Sequence, residues 1–147
     1  HNDPNDEGRA RRRGGGALRK PVPPLRTVMI LLPVLNAVAA LVSTASAALV
    51  LVRPEAMSGS RSVSAGERFF ARMYAARAIP FGLVTAVMPF PLFTAACDPM
   101  AVRLVLVAAT VVQAVDVAIG LSRGRWAMVA GPSVAALIHA LTAWFLH

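Results

Sequence analysis

The stretch Pro99–Ser122, PMAVRLVLVAATVVQAVDVAIGLS, decides how this chain is read. A helix rises ~1.5 Å per residue, so this stretch is long enough to cross ~30 Å of hydrocarbon. Gln113 and Asp116 interrupt it, three residues apart and therefore on one helical face. An acid inside an apolar span costs roughly 2.5–3.5 kcal/mol at mid-bilayer on insertion scales. Another group in the chain is expected to answer it, and Arg77 is the candidate.

Composition supports the same setting. Of 147 residues 56% are hydrophobic and only 15% charged, against about 25% charged in soluble domains. The length suits one compact helical unit. The net charge of +8 is concentrated, with seven of the fifteen Lys and Arg residues before Thr27. The single cysteine, Cys97, excludes an intrachain disulfide. His1, His139 and His147 are scattered without metal-ligand spacing, so neither a metal nor another cofactor is expected.

Outward from that stretch, residues 1–26 read as a disordered arm rich in Arg, Gly and Pro, unable to build a core. Its basic run suits anionic lipid beside a membrane. Nucleic acid is the weaker partner, because no aromatic residue interleaves the arginines to stack on bases. Residues 27–52 contain 26 uncharged residues in a row, more than the ~20 that a span needs. Asn36, Ala40, Ser43 and Ala47 form a small and polar stripe there, suited to close helix packing in lipid. Pro33 is expected to bend its first turns. The basic arm, the apolar core and Ala45-Ser46-Ala47 also resemble a secretory signal. The apolar run continues through Val52, however, which suits a retained helix.

Ser64 and Glu67 carry a capping-box spacing ahead of a second helix over about 66–95. Arg68 and Arg72 can snorkel to the near interface, whereas Arg77 lies about 13 Å further in than Arg68. Pro80 should loosen this helix, and Pro89 and Pro91 should end or bend it. Asp98 before Pro99 reads as an N-cap followed by proline at the first helical position, opening the third helix over 99–122. The fourth covers about 126–146, with Trp126 and Trp144 spaced as anchors at two interfaces. Gly131, Ala135, His139 and Thr142 form its small and polar stripe, expected to face the other helices.

The expected fold is therefore all-α: an integral membrane four-helix up-down bundle over 27–147, with a disordered basic N-terminal arm. An even number of spans puts both termini on one side. The density of positive charge in the arm favours the cytoplasmic side of a plasma or bacterial inner membrane.

The candidate intramembrane polar site comprises Arg77, Asp116, Gln113, Tyr74, His139 and Asn36. Counted from the loop side, Arg77 and Asp116 both lie roughly 10–13 Å below one interface, so an ion pair between them is expected. Tyr74 and Gln113 each precede one of these charges by three residues and extend the same faces. His139 matches Asn36 in depth better than it matches Asp116. No phosphate loop, nucleophile motif or metal cluster accompanies these residues.

The segments FARMYAARAIPFGLV, VVQAVDVAIG and ALIHALTAWFL, within about residues 28–146, resemble a group of small four-helix membrane proteins akin to the DoxX-like group. That resemblance implies an arginine with a following small residue in the second helix, here Arg77 with Gly82. It also implies an acid in the third helix, Asp116, and a histidine in the fourth, His139. The glycine usual before the arginine is alanine here, at Ala75 or Ala76. The group implies a fold and a membrane home, and no activity.

Two functions are compatible with these features. One is a non-enzymatic membrane subunit or accessory protein that works with a membrane protein partner or a second copy of itself. The other is a membrane-embedded enzyme or carrier acting on a lipid-like or quinone-like small molecule through Arg77 and Asp116.

Overall fold

The computed structural model describes residues 23–55 and 62–146. Residues 1–22 of the expected arm, and with them the question of its partners, lie outside the described residues, as do His147 and residues 56–61 of the first loop. Five helices make up the described part: α1 (Pro23–Val52), α2 (Ala65–Val87), α3 (Pro91–Ala96), α4 (Pro99–Ser122) and α5 (Trp126–Phe145). No strand occurs among the described residues.

Three helices are long and apolar enough to cross a membrane: α1 over Thr27–Val52, α4, and α5 over Met128–Phe145. This is the pattern of a membrane protein. The remaining long helix, α2, is not among them, because Glu67, Arg68, Arg72 and Arg77 lower its hydropathy.

Local chemistry sets the boundaries. Ser64 caps α2 through the expected capping box: the Glu67 N–H donates to Ser64 Oγ at 3.2 Å, and the Ser64 N–H donates to Glu67 Oε2 at 2.7 Å. The Ser64 N–H, aided by its hydroxyl, holds the exposed Glu67 carboxyl below the usual glutamate range. At the start of α4 the Met100 N–H donates to Asp98 Oδ1 at 2.9 Å. That helix ends in a Schellman motif, with Gly124 at φ +62° and the Arg125 N–H reaching Gly120 O at 2.9 Å.

Two boundaries differ from expectation. The first helix begins at Pro23, inside the segment read as arm. The second stops at Val87 rather than near residue 95, and α3 forms separately after it. Pro89 and Pro91 lack the N–H groups that would continue the ladder, so the chain breaks and restarts.

The interior is made of small and polar side chains. Ala40, Ala47, Ala71, Ala75, Ala86, Ala109, Ala135 and Ala143 are buried, whereas Ile30, Phe70, Leu104 and Leu137 are exposed. Among the bulkiest fully buried groups, His139 and Asn36 rank with Leu106 and Val102. In lipid, outward leucines cost nothing and small residues let helices approach closely. Among the described residues, a conventional apolar cluster forms around Val102, Leu106 and Ala143, with Met88, Cys97 and Leu146 packed against it.

Packing is uneven around this core. The α1–α2 and α4–α5 pairs associate closely, α1 also meets α5, and α2 touches α4 only sparsely. Gly82 sits directly beneath Thr44, where a Cβ would collide with the Thr44 hydroxyl. Gly120 presses on Val129 and on the Met128 backbone, where a Cβ would lie 3.0 to 3.1 Å from its neighbours. Gly131 departs from expectation: nothing lies within 4 Å of its Cβ position, so the inward stripe of α5 starts at Ala135.

Candidate functional site

The inward stripe of α4 is Val102, Leu106, Ala109, Gln113 and Gly120, and Asp116 falls on the same face. Gln113 and Asp116 therefore point between the helices. Opposite them on α2, the buried residues Ala71, Ala75, Gly82 and Thr85 define a stripe with half-buried Tyr74 at its edge. From α1 come Ala40 and Ser43, and from α5 comes His139.

These elements enclose a cavity of about 50 Å³ lined by Tyr74, Gln113, Asp116 and His139, with Ser43 and Thr85 completing its polar wall. That is room for a few waters or one small polar group. Four of the six candidate residues thus share one cavity. Asn36 lies behind it, and Arg77 lies outside it.

Asn36 is the hub of the buried network. Its Nδ2 donates to the Thr85 carbonyl at 2.7 Å, and its Oδ1 meets His139 Nδ1 at 2.7 Å. The depth match between Asn36 and His139 is thus a direct contact. Thr85 O is available for a simple reason: its helical donor would be the N–H of residue 89, which is proline. Because Asn36 Nδ2 is committed to a carbonyl, its Oδ1 must accept, and His139 Nδ1 carries the proton. In the neutral ring the lone pair then sits on Nε2, open to the cavity. A second link joins α4 to α1, with Gln113 Nε2 donating to Ser43 Oγ at 3.1 Å.

Arg77 and Asp116 do not meet. Among the described residues no ion pair joins them, and neither side chain makes a hydrogen bond. The physical reason is azimuth rather than depth. At ~100° per residue, Arg77 lies roughly 120° around α2 from that helix's buried stripe. It is exposed and lines the open groove between α2 and α4, whereas half-buried Asp116 lines the cavity. Asp116 instead shares the cavity wall with Tyr74.

Sharing Ser43, Tyr74, Gln113 and Asp116 with the cavity, a groove of about 570 Å³ lies along α1 and α5, walled by Leu35, Val38, Val42 and Ile138. Tyr74, Ser43, Gln113 and Asp116 form its polar floor. Chemically, the arrangement presents acceptors at Asp116 and His139 Nε2, a donor at the Tyr74 hydroxyl and an apolar trough beside them. Among the described residues no three His, Cys, Asp or Glu side chains gather as a metal set would require.

Sequence reasoning left out Thr85 and Ser43 as site residues. The signal for Thr85 was its place four residues before Pro89, which leaves its carbonyl without a helical donor. No family model matches the chain, and no curated protein or solved structure matches it either.

Proposed function

We propose that this chain is a multi-pass membrane protein whose four long helices form an up-down bundle, and that it binds or carries a lipid-like or quinone-like small molecule. The DoxX-like resemblance points to the same four-helix membrane domain, and the density of positive charge in the arm favours both termini on the cytoplasmic side. One observation carries the ligand reading: Asp116 and His139, whose carboxyl and Nε2 have no hydrogen-bond partner among the described residues, border one cavity that shares its polar wall with an apolar groove. The ligand is a neutral lipophile with a hydroxyl or carbonyl at one end. Its polar end faces Tyr74, Asp116 and His139, and its apolar body lies between α1 and α5.

The reading as a subunit or accessory of a larger assembly draws on small size, the absence of a catalytic motif and packing stripes on the first and last helices. Asn36, Ala40 and Ala47 of one stripe, and Ala135, His139 and Thr142 of the other, are buried within this chain. That leaves the ligand reading better supported.

Native mass spectrometry of the protein in phosphatidylcholine nanodiscs, with decylubiquinone and its quinol as probes, tests the proposal. Retention of either probe, weakened by Asp116→Asn, is the expected result. Equal retention by wild type and by a variant with the groove filled, Ala39→Trp, would refute it.

A further inference from the structure

A second groove lies on the other side of Tyr74. It runs between α2 and α4, has a volume of about 630 Å³, and is walled by Phe70, Met73, Phe81, Ala108 and Val112. Arg77 is its only charged lining residue. From Ala65, the start of α2, Arg77 is about 18 Å along the helix axis. It is therefore a cation with no hydrogen bond or ion pair among the described residues, set among aromatic and aliphatic side chains well below the helix end. Such a charge is expensive in lipid unless an anion reaches it, and intramembrane ionisable groups commonly mark a ligand path. Asp116, the one acid within the apolar helices of the described residues, does not line this groove.

We propose that the α2/α4 groove binds a single-chain acidic amphiphile, with its carboxylate on the Arg77 guanidinium and its chain against Phe81, Ala108 and Val112. This groove shares Tyr74, Ala78, Phe81 and Val112 with the neighbouring cavity, but His139 and Asp116 do not line it, and the proposal does not depend on that cavity's ligand. Three features select this occupant. A guanidinium presents parallel N–H donors that match a carboxylate, and one such fork neutralises one negative charge. The volume falls within the ~300–1,000 Å³ typical of single small-ligand sites, which suits one chain rather than two. The sparse contact between α2 and α4 leaves a lateral opening through which a chain can enter from the bilayer. Helical side chains lean toward the helix N-terminus, so the Arg77 fork reaches toward Phe70 and the near interface, where an acidic head resides.

The test measures binding of palmitate and of its neutral ester, methyl palmitate, to the full chain in phosphatidylcholine nanodiscs. Palmitate should bind more tightly than the ester. Arg77→Gln should weaken palmitate roughly 10- to 100-fold while leaving the ester unchanged, and Arg77→Lys should restore part of the difference. Ala108→Trp keeps the arginine but fills the groove, and should abolish binding of both. Equal affinity for acid and ester, or palmitate binding that survives both Arg77→Gln and Ala108→Trp, overturns the proposal. So does formation of a disulfide-linked dimer by Ala108→Cys that excludes palmitate, which would assign the groove to a second copy of the chain.

Discussion

Asn36→Ala removes the residue that joins three helices. The substitution deletes the bond to the Thr85 carbonyl and the bond from His139 Nδ1. Both remaining groups stay buried: His139 is 1% exposed and Thr85 also 1%. Interhelical hydrogen bonds in membranes average ~0.6 kcal/mol and reach ~1.7. Two of them give about 1–3.5 kcal/mol. The upper half is favoured because Pro89 denies Thr85 O a helical donor, and an unpaired buried group costs about 1–3 kcal/mol. Ser46→Ala is the control, since that hydroxyl is exposed and bonds only within its own helix to Val42 O. Its effect should stay within about 0.5 kcal/mol. Equilibrium unfolding in mixed detergent micelles measures both. A cycle with His139→Ala isolates the pairwise term, expected at about 0.5–2 kcal/mol. If Asn36→Ala is no more harmful than Ser46→Ala, or the cycle shows no coupling, the network does not hold these helices together.

Three further outcomes follow from particular contacts. Gly82→Ala should destabilise by about 1–3 kcal/mol through collision with the Thr44 hydroxyl. Thr44→Ala should rescue it, whereas Gly131→Ala should be neutral, all read by unfolding in detergent. Arg77→Gln and Asp116→Asn should be additive within about 0.5 kcal/mol, since the two groups do not touch; a larger coupling in a double-mutant cycle would mean that they pair. The Glu67 carboxyl is held below its ordinary value, so its contribution to the α2 cap is present above that value, near 4.3, and lost as pH falls through the lower folded value. Hydrogen exchange at the start of α2 should therefore rise only under acid conditions, and Glu67→Gln should remove that dependence.

Helix capping was legible from local residues alone. Ser64 with Glu67 and Asp98 with Pro99 form caps because a cap needs only neighbours a few positions away. The inward faces of α1 and α5 were mostly legible as well, since small and polar residues mark contact in lipid. Asn36 and His139 could be matched because helical rise converts sequence number into depth. The inward face of α2 differs from expectation: the small-residue series Ala71, Ala75 and Gly82 marks it, and the charge at Arg77 does not.

The sequence by itself determined that the protein is helical, where α4 and α5 begin, and that α1, α4 and α5 are apolar enough to cross a membrane, whereas the expected fourth span, α2, falls short of that apolarity. Tertiary structure alone decided which way Arg77 faces, that Asp116 shares a cavity with Tyr74, Gln113 and His139, and that Asn36 supplies the donor Pro89 withholds from Thr85. The physical reason is that depth accumulates along one chain at a fixed rise per residue. Azimuth becomes meaningful only when neighbouring helices are in place. Where the outside of a protein can be as apolar as its interior, hydrophobicity cannot say which face turns inward.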